Sequence, residues 1–398
     1  MMRLLLSLAS GFAASILLLF TARRWLFILS ALLPGGRPPP RAEADLPPVL
    51  LLVPVRNEAA ELPDLLAALD RLDYPARRLQ VVLIDDGSTD GGGQILAQWA
   101  GPRPNWQTLS LAQNRGKARA LNAALARFPE GEIVAVFDAD ERPEPGALQH
   151  LVRPFASPTV GGVSGRRAAS NPLASPAASY TAFEGLVHQL ITMRAKDRLK
   201  LAPALLGANC AYRRSALAGA GNFKPGALLE DSDLTVRLAR AGWDIRFEPR
   251  AVSYHRLPRT VGGYWRQHRR WARGFNEVAR EQAGPTLTDR RLSPALRLEL
   301  LAFSLGYLDR LALLGGAVLA LLHRRSRRLL GRAIALSLLT PFCQTLAALA
   351  VDRAPPVMWA RVVWLPVFFG LDLAMAASGL WGTLRGTPQT WEERRSRG

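Results

Sequence analysis

The sequence predicts an α/β domain joined to membrane-spanning helices. Three observations carry this. Apolar runs of strand length alternate with helically spaced segments from residue 49 to about 140. Two of those runs end in acidic clusters, the place where open α/β sheets bind ligands. One apolar stretch at the N-terminus and three after residue 300 approach the roughly 20 residues that cross a bilayer.

Residues 4–22 carry no charge, and Arg23 and Arg24 follow directly. A signal peptide would carry its positive charge on the other side. The order here predicts an uncleaved anchor over 1–33, with the following chain in the cytosol. Trp25 to Leu33 is too short to span alone; it either extends the first helix or lies along the interface. PGGRPPPRAEADLPP at 34–48 reads as a Pro-rich, extended linker. VLLLVPV at 49–55 suits a strand buried on both faces of a parallel sheet. Leu62–Leu72 has helical spacing, LQVVLI at 79–84 is a second buried strand, and Gln94–Trp99 lies in the next helix. Lys117–Phe128 is helical, and EIVAVF at 132–137 is another strand. The soluble domain is expected over 49–258, and a basic, aromatic interfacial region over 259–295.

A C-terminal membrane region of two to three spans is expected over 296–384, followed by a basic tail at 385–398. The stretches 329–350 and 356–381 are good spans, separated by VDRAPP. HRRSRR at 323–328 and the tail are strongly basic, which makes 329–381 a hairpin with both ends in the cytosol. The stretch 301–322 fits poorly, because Asp309 and Arg310 sit midway. It is interfacial, re-entrant, or a span that breaks the charge rule.

Composition narrows the function. The 398 residues are 49% hydrophobic and 21% charged, which excludes a disordered chain. Cys210 and Cys343 are too few and too far apart for a disulfide scaffold, and no Cys/His cluster has zinc spacing. The net charge of +19 is nearly all Arg, since only four of the 51 basic residues are Lys. An Arg-, Ala- and Leu-rich chain points to a GC-rich bacterial genome. The charge suits nucleic acid or an anionic membrane surface, and the apolar stretches favour the membrane.

Asp138 and Asp140 close a buried strand, and residues two apart in extended chain face one side. Hard oxygen ligands suit Mg²⁺ or Mn²⁺, although a lone Asp-x-Asp is more often a solvated turn. Asp85 and Asp86 close the earlier strand; an Asp there can accept from a nucleoside or simply cap the next helix. Lys117 follows Gly116 at a helix start, a ready phosphate site. Glu230 and Asp231 open a helix, where they either complement its dipole or supply a general base. His255 is a candidate ligand or base, though a lone His is usually structural. Gln267, Arg270 and Trp271 lie in TVGGYWRQHRRWARG, which also reads as an amphipathic membrane-surface helix.

Together VPVRNE (53–58), DDGSTD (85–90), GKARALN (116–122), DAD (138–140), ED (230–231) and QHRRW (267–271) resemble the membrane-bound family 2 glycosyltransferases. That group includes cellulose, chitin, hyaluronan and poly-N-acetylglucosamine synthases. The resemblance covers about 49–275 and implies a glycosyltransferase-A (nucleotide-diphospho-sugar transferase) fold with added transmembrane helices. It implies an inverting, metal-dependent transferase with a nucleotide-sugar donor, UDP-linked, using Mg²⁺ or Mn²⁺. It assigns Glu58 and Asp86 to the base and ribose, Lys117 to the diphosphate, Asp138 to the nucleotide and metal, and Asp140 to the metal. It makes Asp231 the base, and has Gln267, Arg270 and Trp271 hold the diphosphate and shape the acceptor channel. LLGANCAYRR at 205–214 matches the acceptor region loosely, so Asn209 and Glu230 are the acceptor-side candidates.

The expected acceptor is a growing polysaccharide at the cytosolic face of the bacterial inner membrane. A membrane lipid is the alternative, because the polymer synthases build their channels from more helices; a partner subunit or homo-oligomer could add them. No nucleic-acid partner is expected. The absence of a GxxxxGK[ST] loop removes a P-loop enzyme. An inactive scaffold is opposed by the intact Asp138, Asp140, Asp231, Gln267, Arg270 and Trp271.

Overall fold

A computed structural model describes residues 1–34 and 46–385. Most of the expected linker, and all of the basic tail beyond Arg385, lie outside the described residues. The first helix, α1 (Met2–Leu32), runs unbroken through the short second apolar piece. The soluble domain then alternates β1 (Val49–Val55), α2 (Leu62–Asp70), β2 (Leu79–Asp85), α3 (Gly92–Ala100), β3 (Trp106–Ser110), α4 (Lys117–Arg127) and β4 (Ile133–Val136). It continues through β5 (Arg142–Pro143), α5 (Ala147–Val152), β6 (Val160–Ala169), α6 (Pro176–Leu186) and α7 (Arg194–Arg198). A π-helical stretch, Val187–Met193, joins α6 to α7. The elements β7 (Cys210–Arg213), α8 (Arg214–Gly219), α9 (Glu230–Arg240) and β8 (Asp244–His255) complete the sheet.

The eight strands form one sheet in the order β3-β2-β1-β4-β7-β6-β8-β5. Strands β1 to β4 are mutually parallel, as their two-sided apolar runs require. Leu51 and Val53 face a core with Leu65 and Leu66 of α2; Leu50 and Leu52 face the other core, with Leu121 and Ala124 of α4. The sheet is nonetheless mixed. Strand β7 runs antiparallel to both β4 and β6, and β5 antiparallel to β8. The alternating pattern read from the first half of the domain does not extend to these strands.

Helix α10 (Val261–Thr288) leads from the sheet to the C-terminal helices α11 (Pro294–Ser304), α12 (Leu308–Leu322), α13 (Arg327–Asp352), α14 (Pro356–Ala360) and α15 (Leu365–Leu384). Met2–Leu32, Arg324–Asp352 and Pro356–Gly382 are each long and apolar enough to cross a membrane. The awkward 301–322 stretch is a broken pair: α11 and α12 meet at a 70° bend. The break puts Asp309 and Arg310 in the protein interior. Asp309 pairs with Arg24 of α1 and lies 3.2 Å from Arg310, which reaches Asp372 of α15 at 2.6 Å. Ala13, Ala14 and Leu17 of α1 pack on Ala312 and Leu313 of α12 and on Leu330 and Ala333 of α13. The two ends of the chain thus form one helical bundle.

Glu299 of α11 bolts that bundle to the soluble domain. Arg23 approaches it with two bonds of 2.7 Å, and Lys196 of α7 stands 3.2 Å away. Lys196 is 2% exposed. Removing the shared carboxylate leaves two desolvated cations, so Glu299→Gln is expected to cost about 3–5 kcal/mol. Thermal unfolding of the detergent-solubilised protein checks this; an unchanged Tm would rule it out.

Candidate active site

The site is assembled at the carboxyl edge of β1, β2 and β4. Past β1, the Asn57 backbone N–H donates to Ser88 Oγ (3.0 Å), and the Thr89 N–H donates to Asn57 Oδ1 (2.7 Å). Asp85 accepts the Ser88 N–H at 2.8 Å, while Asp90 accepts from Gly92 at 3.0 Å and from Ala59 at 2.9 Å. Asp90 thus closes an Asx turn just ahead of α3, whose N-cap is Gly91. Asp86 accepts from Arg115 N–H (2.8 Å) and Gly116 N–H (2.9 Å), setting the loop that delivers α4. Gly87 has φ +70, and a Cβ there would lie 2.8 Å from the Asn114 nitrogen, so this close loop crossing requires glycine.

Lys117 is the first residue of α4. Its ammonium stands 2.6 Å from Asp138 and 3.6 Å from Glu230, and donates to the Gly207 carbonyl at 2.8 Å. Burial opposes this charge, but Asp138 and then Glu230 outweigh it and hold the ammonium above its ordinary value. Asp231 follows Glu230 at the start of α9. Burial, reinforced by the Glu230 charge, pushes its carboxyl up to about 6 against the pull of Lys117. That range suits a group that must take a proton near neutrality. Gly207 (φ +72) leaves room for this carboxylate; a Cβ would sit 2.8 Å from its Oδ2.

Helix α10 supplies the facing wall. Gln267, Arg270 and Trp271 border the same cavity as Lys117, Asp138, Asp140, Glu230 and Asp231. The Gln267 Oε1 atom is buried and has no hydrogen-bond partner in the described structure. Arg270 donates to the Leu228 carbonyl at 3.4 Å. Gly379 allows α15 to approach α10, since a Cβ there would lie 2.7 Å from that of Ala272. The cavity has a volume of about 1150 Å³ and continues between the membrane helices to Phe20, Leu338, Phe342 and Phe369.

Three of the remaining candidates lie outside the cavity wall. Glu58 and Asp86 are not part of the cavity wall. His255 borders it, but burial lowers the ring to about 3, so it is neutral. Asn209 is fully buried outside the wall, donating to the carbonyls of Arg166 (2.9 Å) and Ala251 (2.8 Å). Its side chain ties β6 to β8. Glu184 and His268 enter the wall without having been singled out. His268 lay in plain view inside QHRRW, whereas no local pattern marks Glu184.

Residues 47–274 match the family described as glycosyltransferase-like family 2. This chain belongs to that family. Poly-beta-1,6-N-acetyl-D-glucosamine synthase from Staphylococcus epidermidis is 28% identical over 250 residues, 62% of this chain and 58% of that protein. Beta-monoglucosyldiacylglycerol synthase from Nostoc is 34% identical over 238 residues, 58% of this chain and 50% of the relative. The chain thus matches only half or little more of each relative's length. In structure it is similar to a mannosyltransferase from Pyrobaculum calidifontis solved with GDP-Man and Mn²⁺. The TM-score is 0.62 over 89% of this chain and 99% of that one, at 24% identity. That likeness establishes the glycosyltransferase-A fold.

Among the described residues no group of three or more His, Cys, Asp or Glu side chains forms a ready metal cage. Asp138 and Asp140 in the cavity wall are still a donor set that fits Mg²⁺ or Mn²⁺. Such ions take one or two carboxylates and complete their shell with substrate phosphates and water. Asn209→Ala is expected to leave two buried carbonyls unpaired and to cost about 1–3 kcal/mol for each group. Denaturant unfolding checks this; unchanged stability would return Asn209 to the acceptor side of the site.

Proposed function

We propose that this chain transfers a sugar from a UDP-sugar to an acceptor hydroxyl that reaches the site from the membrane. The observation that supports this most is the single cavity joining Asp138, Asp140, Asp231 and the Gln267–Trp271 turn to the space between the membrane helices. The first relative makes a polysaccharide and the second a glycolipid by name. Extension of a polysaccharide at the cytosolic face is the primary reading. A lipid acceptor is the second, favoured by the apolar inner end at Phe20, Leu338, Phe342 and Phe369.

In this mechanism Asp231 removes the proton of the acceptor hydroxyl, whose oxygen then bonds to the anomeric carbon. The bond from that carbon to the diphosphate breaks, and the nucleoside diphosphate leaves with the electron pair. One displacement from the opposite face inverts the centre, and no second carboxylate nucleophile is needed. Lys117 and Arg270 stabilise the charge that grows on the leaving group. Gln267, with its buried and unpartnered oxygen, orients the donor. A divalent ion held by Asp138 and Asp140 would neutralise diphosphate charge. Asp86 acts on the donor through the loop carrying Lys117, and Glu58 is assigned to the nucleoside side of the site.

Membranes bearing the protein, given labelled UDP-sugars with Mg²⁺ or Mn²⁺, are expected to transfer label in an Asp231-dependent manner. Asp231→Asn should reduce transfer at least a thousandfold while UDP binding persists; equal rates would remove Asp231 as the base. A water-soluble ladder marks polymer extension, and one organic-soluble product marks a glycolipid.

Because only ionised Asp231 accepts the proton, acceptor kcat/KM should fall about tenfold per pH unit below about 6 and level off above it. A flat profile from pH 4.5 to 8 would contradict this. Chelation with EDTA should stop transfer, and added Mg²⁺ or Mn²⁺ should restore it.

A further inference from the structure

Glu184 on α6 and His268 on α10 form a buried pair in the cavity wall that the mechanism above does not use. The His268 Nε2 atom lies 2.8 Å from Glu184 Oε2, and its Nδ1 lies 3.0 Å from the Tyr264 carbonyl. Both ring nitrogens face oxygen acceptors, so both carry a proton when Glu184 is ionised. The ring stacks on Tyr264 at 3.9 Å and meets Trp271 edge-on at 4.7 Å. Burial disfavours the charge on His268, and Glu184 outweighs it, holding the ring above its ordinary value.

The His268 side chain is 3% exposed, whereas that of Glu184 is 27% exposed. The pair engages Oε2 and leaves Oε1 available to a ligand in the cavity. Around it stand Tyr180 on the same helix, Tyr264 on α10, Asp372 on α15, and Tyr307 and Arg310 at the start of α12. Tyr180 stacks on Phe368 at 5.1 Å and meets Tyr264 edge-on at 5.7 Å. An ion pair among so many rings is a poor way to gain stability, since apolar side chains of similar volume would serve as well. A carboxylate with one exposed oxygen beside aromatic faces is instead a good way to hold a sugar. Its hydroxyls donate to the oxygen, and its C–H faces lie on the rings.

Resting on the sugar-transfer reading above, we propose that Glu184 is an acceptor-binding residue. Its Oε1 accepts a hydrogen bond from a hydroxyl that does not react, and His268 is the positioning residue that fixes both Glu184 and Trp271. Asp231 already claims the reacting hydroxyl, so the acceptor must carry at least two. That makes the acceptor a group with several hydroxyls, of which a sugar residue on a polysaccharide or a lipid fits the flanking rings, and disfavours a lipid with a single hydroxyl.

The test uses the full-length protein in membranes, with a labelled UDP-sugar and two acceptors: a short oligosaccharide of the same sugar, and dioleoylglycerol. The wild type should glycosylate the oligosaccharide and not dioleoylglycerol. Glu184→Gln should raise the acceptor KM tenfold or more while the Kd for UDP stays within twofold. Glu184→Asp should recover part of the loss. His268→Gln should raise the acceptor KM, as a displaced Glu184 would, while the Kd for UDP stays within twofold. An acceptor KM within twofold of wild type in Glu184→Gln overturns the proposal. So does efficient use of dioleoylglycerol, or loss of UDP binding together with acceptor use, which would make the pair structural. Asp231→Asn run in parallel separates the two levels: if it transfers as well as wild type, the sugar-transfer reading itself fails, whatever Glu184 does.

Discussion

The site depends on one ammonium group. Asp138, Asp140, Glu230 and Asp231 bring four carboxylates to one cavity, and like charges at that density repel one another strongly once water is excluded. Lys117 offsets that repulsion by standing against Asp138 and Glu230 and bonding the Gly207 carbonyl. A single side chain thereby draws together the end of β4, the start of α9 and the 205–209 loop. It also leaves Asp231 less compensated than Asp138, which is why burial can lift that carboxyl into a useful range. The rarity of Lys in this Arg-rich chain makes sense here. A compact ammonium fits among carboxylates where a planar guanidinium would demand a bidentate geometry.

The helical bundle obeys the same rule of compensation. Arg23, Arg24, Lys196 and Arg310 are balanced against Glu299, Asp309 and Asp372, each by direct contact. These contacts tie the N-terminal helix to the C-terminal bundle and both to the soluble domain. The bend between α11 and α12 belongs to this arrangement, because it turns Asp309 and Arg310 inward, where partners exist. Helix α10 then lies between sheet and bundle, with Gly379 letting it seat closely on α15. Gln267, Arg270 and Trp271 therefore face a cavity with a polar, carboxylate-lined end and an apolar end.

Much of this was legible in the residues. The strands at 49–55 and 79–85 declare themselves because a strand covered on both faces must be apolar throughout, and acidic residues at their ends stand out against that background. Asp138, Asp140, Lys117, Asp231, Gln267, Arg270 and Trp271 were found from local patterns, and all border one cavity. Asn209, drawn from a loosely matching stretch, lies outside that wall. Only the packing of β6 against β8 reveals two backbone carbonyls in need of its amide.

Local chemistry in the sequence was enough to determine the class of domain and the helices long enough to cross a bilayer. These follow from hydrophobic period, charge and spacing, which need no knowledge of distant contacts. The tertiary structure alone decided the antiparallel insertion of β7, the break at residue 304, and the pairing of Glu184 with His268 across 84 positions of chain. Each of these rests on a partner far away in sequence. A buried charge, carbonyl or helix end takes its place according to what can satisfy it, and only the folded chain brings that partner within reach.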